Sequence, residues 1–239
     1  MKPLSQFEVQ QWLPLQIFGV DISFSNSSFF MLLAAILPLV IIFFLLKKRD
    51  ILPQLRQSFG EMFIFFIQNI MDDAAGPKGK PFLPFIAAVF FFVFMGNFLG
   101  LFPYAFTFTS QFIVNFALAF LVLSVVTITG FVLQGRHFLH IFLPRGVSPF
   151  VAPLLIPVEM ISYMTKPLSL SIRLFANMVA GHSMVKIFAY FSIMLGVFGI
   201  FPLLVNVVLL GFELLVAFLQ AYVFAMLSCI YLHDALEAH

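Results

Sequence analysis

The carboxyl-terminal part of the chain carries ionisable side chains inside segments that are otherwise apolar. A charged group at the centre of a bilayer costs about 2.5–3.5 kcal/mol even on the mildest scale, so such residues are rare and mark ion pathways. The chemistry they indicate is the movement of an ion through a membrane, with partners that neutralise one another. The residues concerned are Glu159, Lys166, Arg173, His182, Lys186 and Glu213.

The spacing of these residues along a helix determines which of them lie on the same side. Glu159, Lys166 and Arg173 are seven residues apart, so in a helix they share one face. Asn177 lies four residues beyond Arg173 and joins that face as a supporting polar group. His182 is nine residues beyond Arg173, which places it close to the opposite side of the helix and about 13 Å further along the axis.

The last apolar segment carries its own polar face. Glu213 and Gln220 are again seven residues apart and therefore lie on one side of a helix. Together with the preceding helix, this placement predicts two polar routes that reach opposite sides of the membrane. The guanidinium group of Arg173 would stand between the two routes.

The composition requires a membrane setting for these helices. Hydrophobic residues make up 62% of the 239 residues, charged residues only 9%, and the mean hydropathy is +1.11. Soluble domains have about 45–50% apolar and about 25% charged residues, so the fold class predicted is an all-α integral membrane protein. A net charge of +2 excludes a nucleic-acid surface, one cysteine excludes a disulfide scaffold, and no phosphate-binding glycine motif occurs.

Runs of about 20 apolar residues predict five membrane crossings within a single membrane domain, 1–239. The helix 150–195 is expected to be interrupted near its start by Pro153, Pro157 and Pro167. If 166–195 is one helix it is about 45 Å long, which exceeds the bilayer core and predicts strong tilt. The segments are an N-terminal stretch 1–27, spans 28–46, 81–102 and 112–133, an interfacial amphipathic helix 51–71, a loop 72–80, a turn 103–110, the tilted helix 150–195 and a final helix 203–232.

The distribution of basic residues predicts the orientation of the chain. Lysine and arginine residues cluster in 47–56, 78–80 and 136–145, whereas 103–110 and 196–202 contain none. Basic loops face the cytoplasm or the mitochondrial matrix. With five crossings, the N-terminus is predicted on the periplasmic or intermembrane side and the C-terminus on the cytoplasmic or matrix side.

Two long motifs resemble a known family. Residues 169–182 read SLSIRLFANMVAGH and residues 211–224 read GFELLVAFLQAYVF. The resemblance extends to 96–104 (GNFLGLFPY), to 231–235 (YLHDA) and to the first residues of the chain. Over nearly its whole length the sequence resembles subunit a of the F-type ATP synthases, and its His-then-Glu order resembles the mitochondrial and alphaproteobacterial branch.

The resemblance implies a role for each of these polar residues. Arg173 matches the essential arginine that faces the carboxylates of the c-ring. His182 and Glu213 match the polar pair of the inlet half-channel, which opens to the periplasm or intermembrane space. The other matched positions are Asn97 and Gln220 beside that pair, and Glu159 and Asp234 as the acidic groups of the exit half-channel.

The resemblance also implies the setting of the chain. The expected partners are the c-ring, the peripheral-stalk subunit b, other F0 subunits, membrane lipid and protons, in a mitochondrial inner membrane or a bacterial plasma membrane. Neither a metal nor another cofactor is expected. The chain would not bind nucleotide or act as an enzyme by itself; it would be the proton-translocating subunit of a larger ATP synthase.

Other interpretations of the same residues remain open at this stage. A stand-alone ion-coupled transporter would favour internal repeats, of which none is visible, and a haem- or quinone-binding redox subunit would need histidine pairs. A purely structural scaffold does not explain the charges. At the level of residues, Glu159 and Lys166 could form an ion pair near the interface, and Lys166 and Lys186 could extend toward opposite membrane surfaces.

Overall fold

The computed structural model describes residues 10–13, 16–17, 20–21, 23–47, 55–102, 105–135, 138 and 151–236. Within these residues the fold consists of six α-helices preceded by short strands, which confirms the predicted all-α class. The helices are α1 (Asn26–Leu46), α2 (Leu55–Ala75), α3 (Leu83–Gly100), α4 (Phe112–Gln134), α5 (Ala152–Met194) and α6 (Ile200–Leu236). Short 3₁₀ helices lie at Pro77–Phe82, Phe108–Ser110 and Gly196–Gly199.

The segment before α1 forms two small antiparallel ribbons. Strand β1 (Gln11–Leu13) pairs with β4 (Phe24–Ser25), and β2 (Gln16–Ile17) pairs with β3 (Val20–Asp21). Helix α1 begins directly after β4, because the hydroxyl of Ser25 accepts a hydrogen bond from the backbone N–H of Ser28 at 3.4 Å.

Helix α2 is longer at its C-terminal end than the sequence predicted. The expected helix 51–71 continues to Ala75, and a 3₁₀ helix occupies Pro77–Phe82, so the prediction of a loop over 72–80 is wrong. Gly76 alone separates the two, at a positive φ of 65° that glycine adopts without strain. Residues 51–54 lie outside the described residues.

Helix α5 runs without interruption for 43 residues, with Pro157 and Pro167 inside it. The expected break at its start is therefore wrong. A proline removes one backbone donor and its hydrogen bond, but α5 packs against both α4 and α6, and these contacts favour a continuous helix. Helix α6 has 37 residues, so α5 and α6 are about 64 Å and about 55 Å long and form the hairpin that positions the polar residues.

Helix α6 lies at the centre of the bundle, in contact with α2, α3, α4 and α5. Its buried side is lined by small and apolar residues such as Ala221, Phe224 and Ala225, which pack against the buried residues of α2 and α3. In the described part of the chain, four stretches are long and apolar enough to cross a membrane: Asn26–Leu46, Pro77–Gly100, Phe112–Gln134 and Gly196–Leu236. Helix α5, the fifth crossing expected, does not meet this criterion because polar residues lower its hydropathy.

Candidate ion-translocation site

His182 and Glu213 meet at the contact between α5 and α6. Nδ1 of His182 is in hydrogen-bond contact with Oε1 of Glu213, and the two side chains are only 8% and 7% exposed. Two ionisable groups that are 31 residues apart in the chain therefore form one buried pair. The structure brings together the two residues that the sequence analysis placed in one half-channel.

The other ring nitrogen of His182 faces the end of α3. Nε2 lies 2.9 Å from the carbonyl oxygen of Gly100 and 3.0 Å from Oγ1 of Thr107. A carbonyl oxygen can only accept, so Nε2 carries a hydrogen and donates. The contact at Nδ1 then holds a single proton, either as an imidazolium beside a carboxylate or as a neutral imidazole beside a carboxylic acid. In both forms the pair is neutral overall, which suits its burial.

Two glycines allow these groups to approach one another. A Cβ atom at Gly181 would lie 2.8 Å from Oε1 of Glu213, and a Cβ atom at Gly100 would lie 2.6 Å from Oγ1 of Thr107. Both distances are shorter than real Cβ contacts, so any side chain at either position would displace a member of the site. The absence of a side chain at Gly181 and Gly100 therefore leaves room for Glu213 and Thr107 to contact His182.

Asn97 and Gln220 are also buried. Asn97 is fully buried on α3, one turn before Gly100, and Gln220 is 8% exposed on α6, seven residues beyond Glu213. Nδ2 of Asn97 is 3.5 Å from the carbonyl oxygen of Ala217, and its Oδ1 has no hydrogen-bond partner among the described residues. The contact between α3 and α6 therefore leaves the amide oxygen of Asn97 able to accept a further hydrogen bond.

Arg173 occupies a different environment from His182 on the same helix. Its side chain is exposed and lies on a groove of about 430 Å³ between α5 and the C-terminal half of α6. Asn177, one turn away, is half-buried. The groove is lined by Ile161, Ser162, Thr165, Lys166, Ser169, Leu170, Arg173, Leu227 and Tyr231.

Lys166 and Asp234 join α5 to α6 at this groove. Nζ of Lys166 lies 3.6 Å from Oδ2 of Asp234 and 4.8 Å from the centre of the Tyr231 ring. The hydroxyl of Tyr163, a second ring beneath Lys166, is 2.6 Å from Oγ1 of Thr127 on α4. Both charged side chains remain partly exposed, at 35% and 47%.

These contacts correct one of the simpler interpretations. No ion pair joins Glu159 to Lys166 in the part of the chain that the structure describes; the carboxylate partner of Lys166 is Asp234. The Lys166 ammonium group is therefore held across the helix pair by Asp234. Glu159 is half-buried near the start of α5, and Lys186 is half-buried near its end.

Thr107 and Gly100 were not predicted as parts of the site. Residues 103–110 were expected to form a plain turn, yet Thr107, Thr109 and Ser110 are at most 6% exposed and lie inside the bundle. The available signal was a run of hydroxyl residues between two spans, with no charge. Among the described residues, no group of three or more His, Cys, Asp or Glu side chains could hold a metal ion.

Ionisable side chains enclosed by long apolar helices define this chain as a multi-pass membrane protein of the ion-carrying class. A family model described as ATP synthase A chain matches residues 28–233, and the chain belongs to this family. It is 47% identical to ATP synthase subunit a of Rhizobium etli, covering 98% of this chain and 97% of the relative. The corresponding protein of Pelagibacter ubique is 47% identical, covering 99% and 98%, and the ATP synthase subunit a 1 of Brucella anthropi is 44% identical, covering 98% and 97%. The resemblance found in the motifs is confirmed.

Proposed function

We propose that this chain is the stator proton channel of an F-type ATP synthase, with two offset half-channels and Arg173 facing the c-ring. The observation that supports it is the contrast within one helix. His182 is enclosed with Glu213, whereas Arg173, nine residues earlier, is exposed on an open groove. A helix with one enclosed and one open ionisable site has the geometry that two separate proton routes need.

Arg173 would act on the carboxylates of the rotating ring. A ring carboxyl must be neutral to face lipid, because a bare carboxylate there carries a large desolvation cost. Beside a guanidinium the ionised form is favoured, so the carboxyl releases its proton. Arginine stays charged at working pH, and its fixed charge also opposes the direct passage of protons between the half-channels.

The inlet half-channel would contain His182, Glu213, Gln220 and Asn97. Their burial along α3, α5 and α6 supports a single polar route inside the bundle. A histidine hydrogen-bonded to a carboxylate can pass a proton along a hydrogen-bonded route, which suits a relay.

The exit half-channel would contain Glu159 and Asp234, with the groove beside Arg173 leading toward them. Asp234 lies at the end of α6, paired with Lys166 of the groove wall, which supports this assignment. The predicted orientation has the N-terminus on the periplasmic or intermembrane side and the C-terminus on the cytoplasmic or matrix side. Each proton that crosses would release about 2.3 kcal/mol per 100 mV of membrane potential.

The proposal includes partners that the chain needs in order to function. As one membrane domain in an energy-transducing membrane, it would contact the c-ring, the peripheral-stalk subunit b and other F0 subunits. It would bind no nucleotide and would not catalyse ATP hydrolysis by itself. The large exposed apolar surface of α5 and α6, which includes Ile172, Val207 and Phe212, is available to lipid and to such partners.

The decisive test is ATP-driven acidification of vesicles that contain the intact complex, with Arg173→Ala compared to wild type. Pumping should be lost while the complex still assembles and retains a small, very apolar ring polypeptide. Arg56→Ala is the matched control, because Arg56 is an exposed arginine on α2 that does not line the groove. Normal pumping by an assembled Arg173→Ala complex would overturn the proposal and reopen the stand-alone transporter.

A further inference from the structure

We propose that Thr107 is a positioning residue for proton transfer: together with the Gly100 carbonyl it holds Nε2–H of His182, so that the exchanging proton lies between Nδ1 and Glu213. This inference rests on the proposed function and adds which ring nitrogen of His182 exchanges its proton. It concerns the connection between α3 and α4, which the sequence analysis took for a plain turn.

The surroundings of Nε2 determine which nitrogen of His182 carries the fixed hydrogen. The Gly100 carbonyl at 2.9 Å and the Thr107 hydroxyl at 3.0 Å both lie within hydrogen-bond distance of Nε2. An Nε2 atom without hydrogen would place its lone pair against the carbonyl oxygen, which is repulsive. The Thr107 hydroxyl is oriented by the same carbonyl, at 3.5 Å, so its oxygen is left to accept from Nε2–H.

The segment that carries Thr107 is itself held in place. Oγ of Ser110 donates to the Thr107 carbonyl at 2.6 Å, and Nδ2 of Asn115 donates to the Thr109 carbonyl at 2.6 Å. Thr107, Ser110 and Asn115 are all buried. Buried polar contacts of this kind fix a side chain better than exposed ones, because no water competes for the partners. These hydrogen bonds hold the backbone that places Thr107 beside the ring of His182.

This arrangement determines the side of the histidine on which a proton can move. Loss of the Nε2 hydrogen would remove the shorter of the two hydrogen bonds to the Gly100 carbonyl and turn the Nε2 lone pair toward that oxygen, whereas exchange at Nδ1 disturbs neither Gly100 nor Thr107. At Nδ1 the O–H bond of Glu213 breaks as the N–H bond of His182 forms, and the net charge of the pair is unchanged. Protons therefore reach and leave the pair on the Glu213 side, and His182 is the fixed partner of that carboxyl group.

The test compares two isosteric substitutions in the same buried segment of the intact complex. Thr107→Val removes the hydroxyl that faces Nε2, and Thr109→Val is the matched control. The Thr109 hydroxyl is equally buried but has no hydrogen-bond partner among the described residues. Thr107→Val should lower ATP-driven pumping by about twofold to tenfold, the range for one lost hydrogen bond, and should shift the pH dependence of pumping. Thr107→Ser, which keeps the hydroxyl, should restore both.

The outcomes separate this inference from the proposed function. If Thr107→Val matches Thr109→Val in rate and in pH profile, Thr107 does not position His182. If Thr107→Ser is as impaired as Thr107→Val at equal assembly, the hydroxyl is not the group that matters, and the inference is again overturned. Pumping that survives Arg173→Ala contradicts the proposed function instead, whatever the threonine variants do. Comparing rates per assembled complex removes any effect of Thr107→Val on folding.

Discussion

The two polar regions of the α5–α6 hairpin are built differently, although each pairs a basic side chain of α5 with a carboxylate of α6. His182 and Glu213 are 8% and 7% exposed, and the ring is additionally bound by Gly100 and Thr107. Lys166 and Asp234 are 35% and 47% exposed and 3.6 Å apart, beside an open groove that also carries Arg173. One pair is enclosed by four elements of the bundle and the other stands at its surface.

The difference shows how burial determines what a polar pair can do. An enclosed pair must stay neutral overall, so it can shift a proton internally but depends on both partners being present. An exposed pair is screened and contributes little to stability, which leaves its members free to change partners. A site that passes protons in a fixed geometry fits the first region, and a site that meets a moving partner fits the second.

Breaking the enclosed pair should give the largest effect on stability. Glu213→Leu leaves His182 buried without its acidic partner, and we expect the free energy of unfolding to fall by about 3–5 kcal/mol. The measurement is the thermal dissociation of the detergent-purified complex. The double variant His182→Leu with Glu213→Leu removes both polar groups and should recover much of this loss, since an apolar pair can replace a buried ion pair. A double variant less stable than the single one would contradict this view of the pair.

A substitution that crowds Glu213 but keeps both members of the His182–Glu213 pair should have an intermediate effect on stability. Gly181→Ala places a Cβ atom 2.8 Å from Oε1 of Glu213, and we expect a loss of about 1–3 kcal/mol, as for overpacked cores. Gly211→Ala is the matched control on α6, because a Cβ atom there meets nothing within 4 Å. It should be neutral or stabilise by about 0.8–1 kcal/mol through helix propensity. Equal effects at the two glycines would show that the close approach at Gly181 is not limiting.

Substitution of Asn97 tests whether this buried amide belongs to a proton route or only contributes to helix packing. Its single described hydrogen bond is long, at 3.5 Å, and its Oδ1 has no partner among the described residues. Asn97→Leu should therefore leave stability unchanged or raise it by about 1 kcal/mol, because a buried unsatisfied acceptor is removed. Under the proposed function it should also lower ATP-driven pumping. Normal pumping in a stable Asn97→Leu complex would remove Asn97 from the inlet route.

The spacing of residues could predict the arrangement along one helix but not every contact between helices. The predicted helix faces separate the exposed Arg173 from the buried His182, and hydropathy located the spans Asn26–Leu46, Leu83–Gly100 and Phe112–Gln134 within two residues of their predicted ends. The motifs paired His182 with Glu213 only through the resemblance, since two helices can meet in many registers. The structure supplies that register.

One error and one omission of the sequence prediction have physical causes. Prolines normally end helices, but α5 continues past Pro157 and Pro167 while packed between α4 and α6, which local propensity does not describe. The segment 103–110 was expected to be a short uncharged turn, and its part in the site was not predicted. The Thr107 hydroxyl reaches His182 because Gly96 and Gly100 let Phe108 and Thr107 lie close to α3.

The smallest effect is expected at the exposed pair, and it provides the sharpest test of the contrast between the two regions. Lys166→Gln and Asp234→Asn, alone and combined, form a double-mutant cycle whose coupling energy we expect to be about 0.2–1 kcal/mol. Asp234→Asn is isosteric, Lys166→Gln replaces the charged end with a shorter neutral amide, and the rings of Tyr163 and Tyr231 stay in place. The cycle is read from the same thermal dissociation as the Glu213 variants, so the two regions share one scale. A coupling energy above about 2 kcal/mol would mean that the surface pair is as interdependent as a buried one. The distinction between an enclosed proton-sharing pair and an open, exchangeable one would then no longer hold.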